Sequence, residues 1–276
     1  MYPRQSLNQL LTINQYFCID RLEHLAEAVV NNFWQRCKIT RRDRIHFHLA
    51  TCSTIVIFMK LFIDSANPKE VKEIADLGIL DGVTTNPTLA TKAGIDYKKA
   101  VEEILKIVDG DVSLEVLSTE TAGMVREGKA LAKLRKNVVV KLPTTAEGLK
   151  ALKRLNGEGI RINMTLVFSA NQALLVAKLG AYIVSPFIGR LDDIGATGID
   201  VIHEIRQIYD NYNFETQILF ASVRSPLHVK QAALAGCDIA TCPFEVLKKL
   251  VEHPLTDVGL KKFLDDFKQS KQKQLV

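Results

Sequence analysis

Lys141 stands where a lysine is seldom found. It ends the apolar run Val138-Val139-Val140 and precedes Leu142-Pro143. A lysine inside an apolar strand is rarely buried without a purpose. Burial disfavours an ammonium relative to a neutral amine. A neutral amine is a nucleophile that condenses with carbonyls to give Schiff bases. The competing reading is a side chain that leaves the strand end for water or pairs with a carboxylate such as Glu115. Two carboxylates, Asp64 and Glu115, close other apolar runs. If their surroundings differ, two carboxyls can divide the work of proton transfer. Otherwise both only neutralise cations. A third group, Arg190, Ser222 and Arg224, suits phosphate, because guanidinium forks match phosphate oxygens. Arg190 could equally pair with Asp192 or Asp193.

Elements must bring these residues together. From Lys60 onward, short β-branched runs alternate with helical patterns. Strands are predicted at 60–64, 82–86, 112–117, 138–142, 161–167, 182–187, 217–222 and 239–242. Most are apolar along their length, as strands buried on both faces are. Helix starts are marked between them. Asn67-Pro68 and Ser225-Pro226 pair a cap with a first-turn proline, and Gly78 suits a helix end. Thr144-x-x-Glu147 and Ser169-x-x-Gln172 read as capping boxes. Residues 97–108 carry Ala100, Val101, Ile104, Leu105 and Val108 on one face.

Eight strand–helix units in some 218 residues match a (β/α)8 barrel with an extra amphipathic C-terminal helix at 255–268. An open doubly wound sheet is the runner-up. It lacks a Gly-x-Gly-x-x-Gly turn after any strand, and no Gly-x4-Gly-Lys occurs. In a barrel, chemistry sits at the C-terminal mouth. The strand ends there deliver Asp64, Thr84 with Asn86, Glu115, Lys141, Asn163 with Thr165, Ser185 with Phe187, and Ser222. Residues 188–198, with three Gly, read as the longest loop after a strand.

Composition limits the alternatives. The 276 residues are 47% hydrophobic and 24% charged, ordinary for a globular protein. No stretch approaches the ~18 apolar residues of a membrane span. Residues 59–276 hold 29 Lys/Arg against 27 Asp/Glu, so no broad basic field invites nucleic acid. Five Cys at 18, 37, 52, 237 and 242 form no Cys-x-x-Cys pair. A disulfide framework or zinc site is therefore not expected, and a reducing cytoplasm is.

Residues 1–58 differ from the body at 59–276. They contain no Gly and hold six of the thirteen Arg but one of 23 Lys. They lack the charged start and apolar core of a secretory signal. Arg content fits a transit peptide, but the few Ser and several acids do not. An interaction arm is one reading, and Met59 as the true start is another. A short helix at 20–30 fits the spacing, disorder in the folded protein is the default for residues 1 to about 50, and His46 and His48 are read as a solvated pair rather than metal ligands.

The motifs GVTTNP (82–87), VVVKLP (138–143), INMTLVFS (162–169), SPFIGR (185–190) and FASVRS (220–225) together resemble the transaldolase family. The short single-domain branch, which includes fructose-6-phosphate aldolase, fits best over Met59 to about Phe267. The resemblance implies a (β/α)8 barrel that moves a dihydroxyacetone unit between sugar phosphates through a lysine Schiff base, without metal or organic cofactor. It implies Lys141 as the Schiff-base lysine and Asp64 as the proton-transfer carboxylate. Glu115 and Thr165 would hold the water of imine formation and hydrolysis. Thr84, Asn86, Asn163 and Ser185 would bind donor hydroxyls, and Arg190, Ser222 and Arg224 the acceptor phosphate. The aldolases of the branch resemble this chain but carry Gln where Glu115 stands and Tyr where Phe187 stands. Asn163 also matches the transaldolase pattern. The resemblance implies a homo-oligomer, a decamer or pentamer, with the C-terminal helix reaching across subunits. It implies neither a nucleic-acid nor a membrane partner. The rival from another class is a non-catalytic sugar-phosphate-binding barrel, which would have no use for an imine-forming lysine.

Overall fold

A computed structural model describes residues 58–270. The readings of the leading segment, including the helix at 20–30 and the His46–His48 pair, lie outside the described residues. Eight strands alternate with helices. In chain order, β1 (Lys60–Asp64) leads to α1 (Pro68–Asp76), and β2 (Gly82–Thr84) to α2 (Pro87–Ala93) and α3 (Tyr97–Ile107). Then come β3 (Asp111–Glu115), α4 (Thr121–Ala132), β4 (Val138–Pro143), α5 (Ala146–Asn156), β5 (Ile162–Val167) and α6 (Ala170–Lys178). After β6 (Ile183–Pro186) stand α7 (Ile188–Asp193) and α8 (Gly198–Tyr212). The last units are β7 (Gln217–Phe220) with α9 (Pro226–Leu234), and β8 (Ile239–Cys242) with α10 (Phe244–Lys249) and α11 (Pro254–Gln269).

All neighbouring strands are parallel, and β8 returns to pair with β1 from Lys60↔Ile239 to Ile63↔Cys242. The ring is closed, so the fold is the expected (β/α)8 barrel. The eight predicted strands are the eight observed, within a few residues at their ends. Among the described residues, no helix is long and apolar enough to cross a membrane.

Alternation along each strand divides the core in two. One set of side chains, including Ile63, Val83, Leu114, Val140 and Leu142, packs outward against the helices. The other faces into the barrel, where Phe62, Val139, Ile183, Leu219 and Ile239 form an apolar plug. Each such side chain, fully buried, contributes about 1.5–3 kcal/mol. Gly82 makes room for the plug's largest member: a Cβ there would stand 2.5 Å from the Phe62 ring.

Local chemistry starts the helices where expected, with two corrections. Asn67 accepts the amide of Lys69, and Ser169 that of Gln172. The cap of α5 is Thr145, which accepts the Gly148 amide, and not Thr144. Thr144 donates its hydroxyl to the Thr165 carbonyl, and Glu147 accepts from Thr121 across to α4. The predicted loop at 188–198 is helical over its first half. Nothing breaks the backbone before Gly195, which turns at φ +80, and Asp192 accepts the Gly198 amide to start α8.

Two glycines test how tightly this frame is packed. A Cβ on Gly148 would lie 1.9 Å from the carbonyl of Pro143, at the end of the strand that carries Lys141. On Gly259, within α11, it would meet nothing. Gly148→Ala is expected to destabilise the protein by about 1–3 kcal/mol. Gly259→Ala is expected to stabilise by about 0.5–1 kcal/mol. Urea denaturation of both variants checks the contrast; equal stabilities would contradict the packing described.

Candidate active site

The residue two positions beyond each plug residue faces inward one layer higher. That rule places Asp64 above Phe62, Lys141 above Val139, Ser185 above Ile183 and Thr241 above Ile239. These residues line a cavity of about 710 Å3 at the C-terminal mouth. Eleven of the twelve residues singled out in the sequence lie on its wall: Asp64, Thr84, Asn86, Glu115, Lys141, Thr165, Ser185, Phe187, Arg190, Ser222 and Arg224. Asn163 does not. It is fully buried beneath, its amide donating to Ser113 at 3.1 Å and accepting from Ser185 at 2.6 Å.

Strand register produces the central contacts. Glu115 stands directly opposite Lys141 across β3 and β4, and Asp64 opposite Thr84 across β1 and β2. The Lys141 Nζ lies 3.2 Å from a Glu115 carboxylate oxygen, with the lysine side chain only 7% exposed. An unpaired charge at that depth would cost several kcal/mol. The lysine is therefore both buried and paired with Glu115, and it does not leave the strand end for water.

Asp64 accepts from the Thr84 hydroxyl at 2.7 Å. Desolvation pushes its carboxyl above the usual range, and the nearby Lys141 and the Thr84 bond offset part of that rise. Glu115 repels it further. Asp64 is thus a carboxyl held near an amine and made more basic by its surroundings, which suits a group that takes and returns a proton. Thr165 is 1% exposed, and its hydroxyl has no hydrogen-bond partner. A β-bulge between Met164 and Val167 accompanies it, with Leu166 in the left-handed region at φ +58. Bulges re-aim side chains, and backbone strain of this kind collects at functional sites.

The cationic side of the mouth lies after β6 and β7. Ser222 is also left-handed, at φ +61. A Cβ on Gly189 would stand 2.0 Å from the Ser222 carbonyl, so only glycine lets these two turns touch. The Arg190 guanidinium lies 4.8 Å over the Phe187 ring, not against Asp192 or Asp193. Arg224 pairs with Asp193 at 2.5 Å, both half exposed. Exposed pairs are worth ~0–1 kcal/mol, so Asp193 holds Arg224 only loosely. His228 accepts the Arg224 amide and reaches Asp192 with its other nitrogen at 3.2 Å, which ties α9 to α7 beneath the arginine.

Among the wall residues not singled out in the sequence, three stand out: Thr241, Lys92 and Leu166. Thr241 follows Ile239 by two, a signal the alternation carries. Lys92 stands three beyond Leu89, about one turn along α2, and both reach the cavity wall. Leu166 follows from the bulge, which no local pattern announces. Among the described residues, no three His, Cys, Asp or Glu side chains gather as metal ligands.

The family model described as Transaldolase/Fructose-6-phosphate aldolase matches residues 61–275. The chain belongs to that family. It is 56% identical over 215 residues to a probable transaldolase of Aquifex aeolicus (strain VF5), covering 78% of this chain and 99% of that one. A probable transaldolase of Hydrogenobaculum sp. (strain Y04AAS1) is 58% identical over 211 residues, with 76% and 97% covered. One of Parvibaculum lavamentivorans is 57% identical over 218 residues, with 79% and 100% covered. In each case nearly the whole relative is spanned by a stretch the size of the barrel.

Proposed function

We propose that this barrel is a transaldolase that transfers a dihydroxyacetone unit between sugar phosphates, acting in the pentose phosphate pathway. The donors are sedoheptulose 7-phosphate and fructose 6-phosphate, and the acceptors glyceraldehyde 3-phosphate and erythrose 4-phosphate. The observation that carries the reading is the buried Lys141 amine 3.2 Å from Glu115, in one cavity with Asp64 and the Arg190–Arg224 side.

The proposed course gives each group a distinct task. Glu115 takes a proton from Lys141, and the freed amine adds to the ketone at C2. Water leaves, with Glu115 and Thr165 handling it, and an imine remains. Asp64 takes the proton of the C4 hydroxyl while the C3–C4 bond breaks. The aldehyde phosphate departs, and its electron pair stays on the three-carbon enamine held by Lys141. That enamine adds to the acceptor aldehyde, Asp64 returns its proton, and water releases the product. Thr84, Asn86 and Ser185 hold the donor hydroxyls, and Arg190, Ser222 and Arg224 the phosphate. Phe187 offers no hydroxyl to the imine water. That favours passing the unit to an acceptor over releasing it. A cytoplasmic setting, read from the cysteine usage, belongs to this proposal.

Fructose 6-phosphate with and without erythrose 4-phosphate, in coupled assays, tests it. Turnover should need the acceptor, and Lys141→Ala should lose on the order of 10⁴-fold or more. Efficient cleavage without acceptor would favour the aldolase instead. No turnover of any kind would leave the binding barrel.

The same reading includes a homo-oligomer. No residue of α11 is buried, and Leu255, Val258, Phe263 and Leu264 are exposed along it. A groove of about 700 Å3 between α3 and α4, lined by Val101, Leu105, Leu114 and Leu131, has the apolar character to receive such a helix from a second copy. Sedimentation should show an assembly that Phe263→Asp dissociates. A wild-type monomer would refute it.

A further inference from the structure

Thr241 lies on β8, the one strand from which the sequence singled out no site residue. It is 4% exposed and lines the mouth cavity. Its hydroxyl oxygen stands 2.6 Å from that of Thr84, which in turn lies 2.7 Å from Asp64. The three residues come from β8, β2 and β1. Both β8 and β2 pair with β1, where Thr241 stands opposite Phe62 and Thr84 opposite Asp64, and inward layers of such barrels draw on alternate strands, so side chains of β8 and β2 meet over β1.

A hydroxyl carries one proton. While Asp64 is ionised, Thr84 must spend its proton on the carboxylate. Its bond to Thr241 is then one in which Thr241 donates. When Asp64 takes up a proton, the chain can reverse, with Asp64 donating to Thr84 and Thr84 to Thr241. We propose that Thr241 is a positioning residue whose hydroxyl fixes the direction of the Thr84 hydroxyl and thereby stabilises ionised Asp64 in the reaction. Chains of hydrogen bonds polarise one another, so the far hydroxyl strengthens the near bond. The role of Asp64 in turnover rests on the proposed function; the hydrogen-bond chain itself does not.

The other groups facing Asp64 are Lys141 on β4, which favours its charged form, and Glu115 on β3, which opposes it. Cys242 stands beside it on β8, its thiol pushed up to about 12 by burial and by Asp64, so it remains uncharged. None of these changes in a Thr241 variant. Loss of the Thr241 donor leaves Thr84 free to turn from the carboxylate. Asp64 then binds its proton more tightly, and its titration moves to higher pH.

Thr241→Val keeps the shape and removes the hydroxyl; Thr241→Ser keeps the hydroxyl. The side-chain carboxyl carbon of Asp64, titrated by NMR in protein without substrate, should move up by roughly half a unit in Thr241→Val and stay near wild type in Thr241→Ser. The acid limb of kcat/KM should move the same way in Thr241→Val, with kcat lower by about three- to tenfold. Titration of Thr241→Val at the wild-type position would overturn the proposal, and so would an equal shift in Thr241→Ser. A carboxyl shift without any sugar-phosphate transfer would uphold the chain and refute the proposed function.

Discussion

Two-residue alternation inside a closed ring of parallel strands governs this molecule. It sets apolar side chains of five strands in a plug and hands the next inward position of those strands to the mouth. Because the plug fills the barrel, groups above it cannot sink, and because the ring is closed, they cannot spread. Lys141 is the sharpest case. Its strand neighbours are committed to the core on both faces, so its amine must end inside the mouth. Register then fixes its partner, since Glu115 is the residue directly opposite.

Charge in the mouth follows from that placement. One buried amine sits among two carboxylates, and the three differ in surroundings. Glu115 is paired with the amine at 3.2 Å, while Asp64 is stripped of water and steadied by Thr84. Burial raises Asp64 and the amine offsets only part of that rise, so the carboxyl holds a proton more readily than an exposed one would. The cationic side works differently. Arg224 is half exposed and loosely held by Asp193, whereas the strained Ser222 and the glycine contact at 189 hold the backbone in place.

The barrel was legible because apolar runs, caps and first-turn prolines agreed on the same boundaries. The site was legible because strand ends are where polar residues interrupt those runs. What escaped had other causes. Asn163 has the residue type of a wall residue, but Ser113 and Ser185 consume its amide one layer down. Thr241 was passed over because a threonine in Ile-Ala-Thr-Cys looks like an ordinary strand former. Thr145 replaced Thr144 as the α5 cap because the strand runs one residue further, to Pro143, and engages Thr144 with β5. Neither choice could be made without knowing which neighbour each hydroxyl would meet.

The claim on which the chemistry depends is that the Lys141 nitrogen bonds covalently to the ketose. Borohydride reduction of the protein in fructose 6-phosphate, followed by peptide mass mapping, measures this directly. The account predicts a stable three-carbon adduct on the peptide containing Lys141, and none in Lys141→Ala. An unmodified wild-type Lys141 peptide, or an adduct on another lysine, would contradict it.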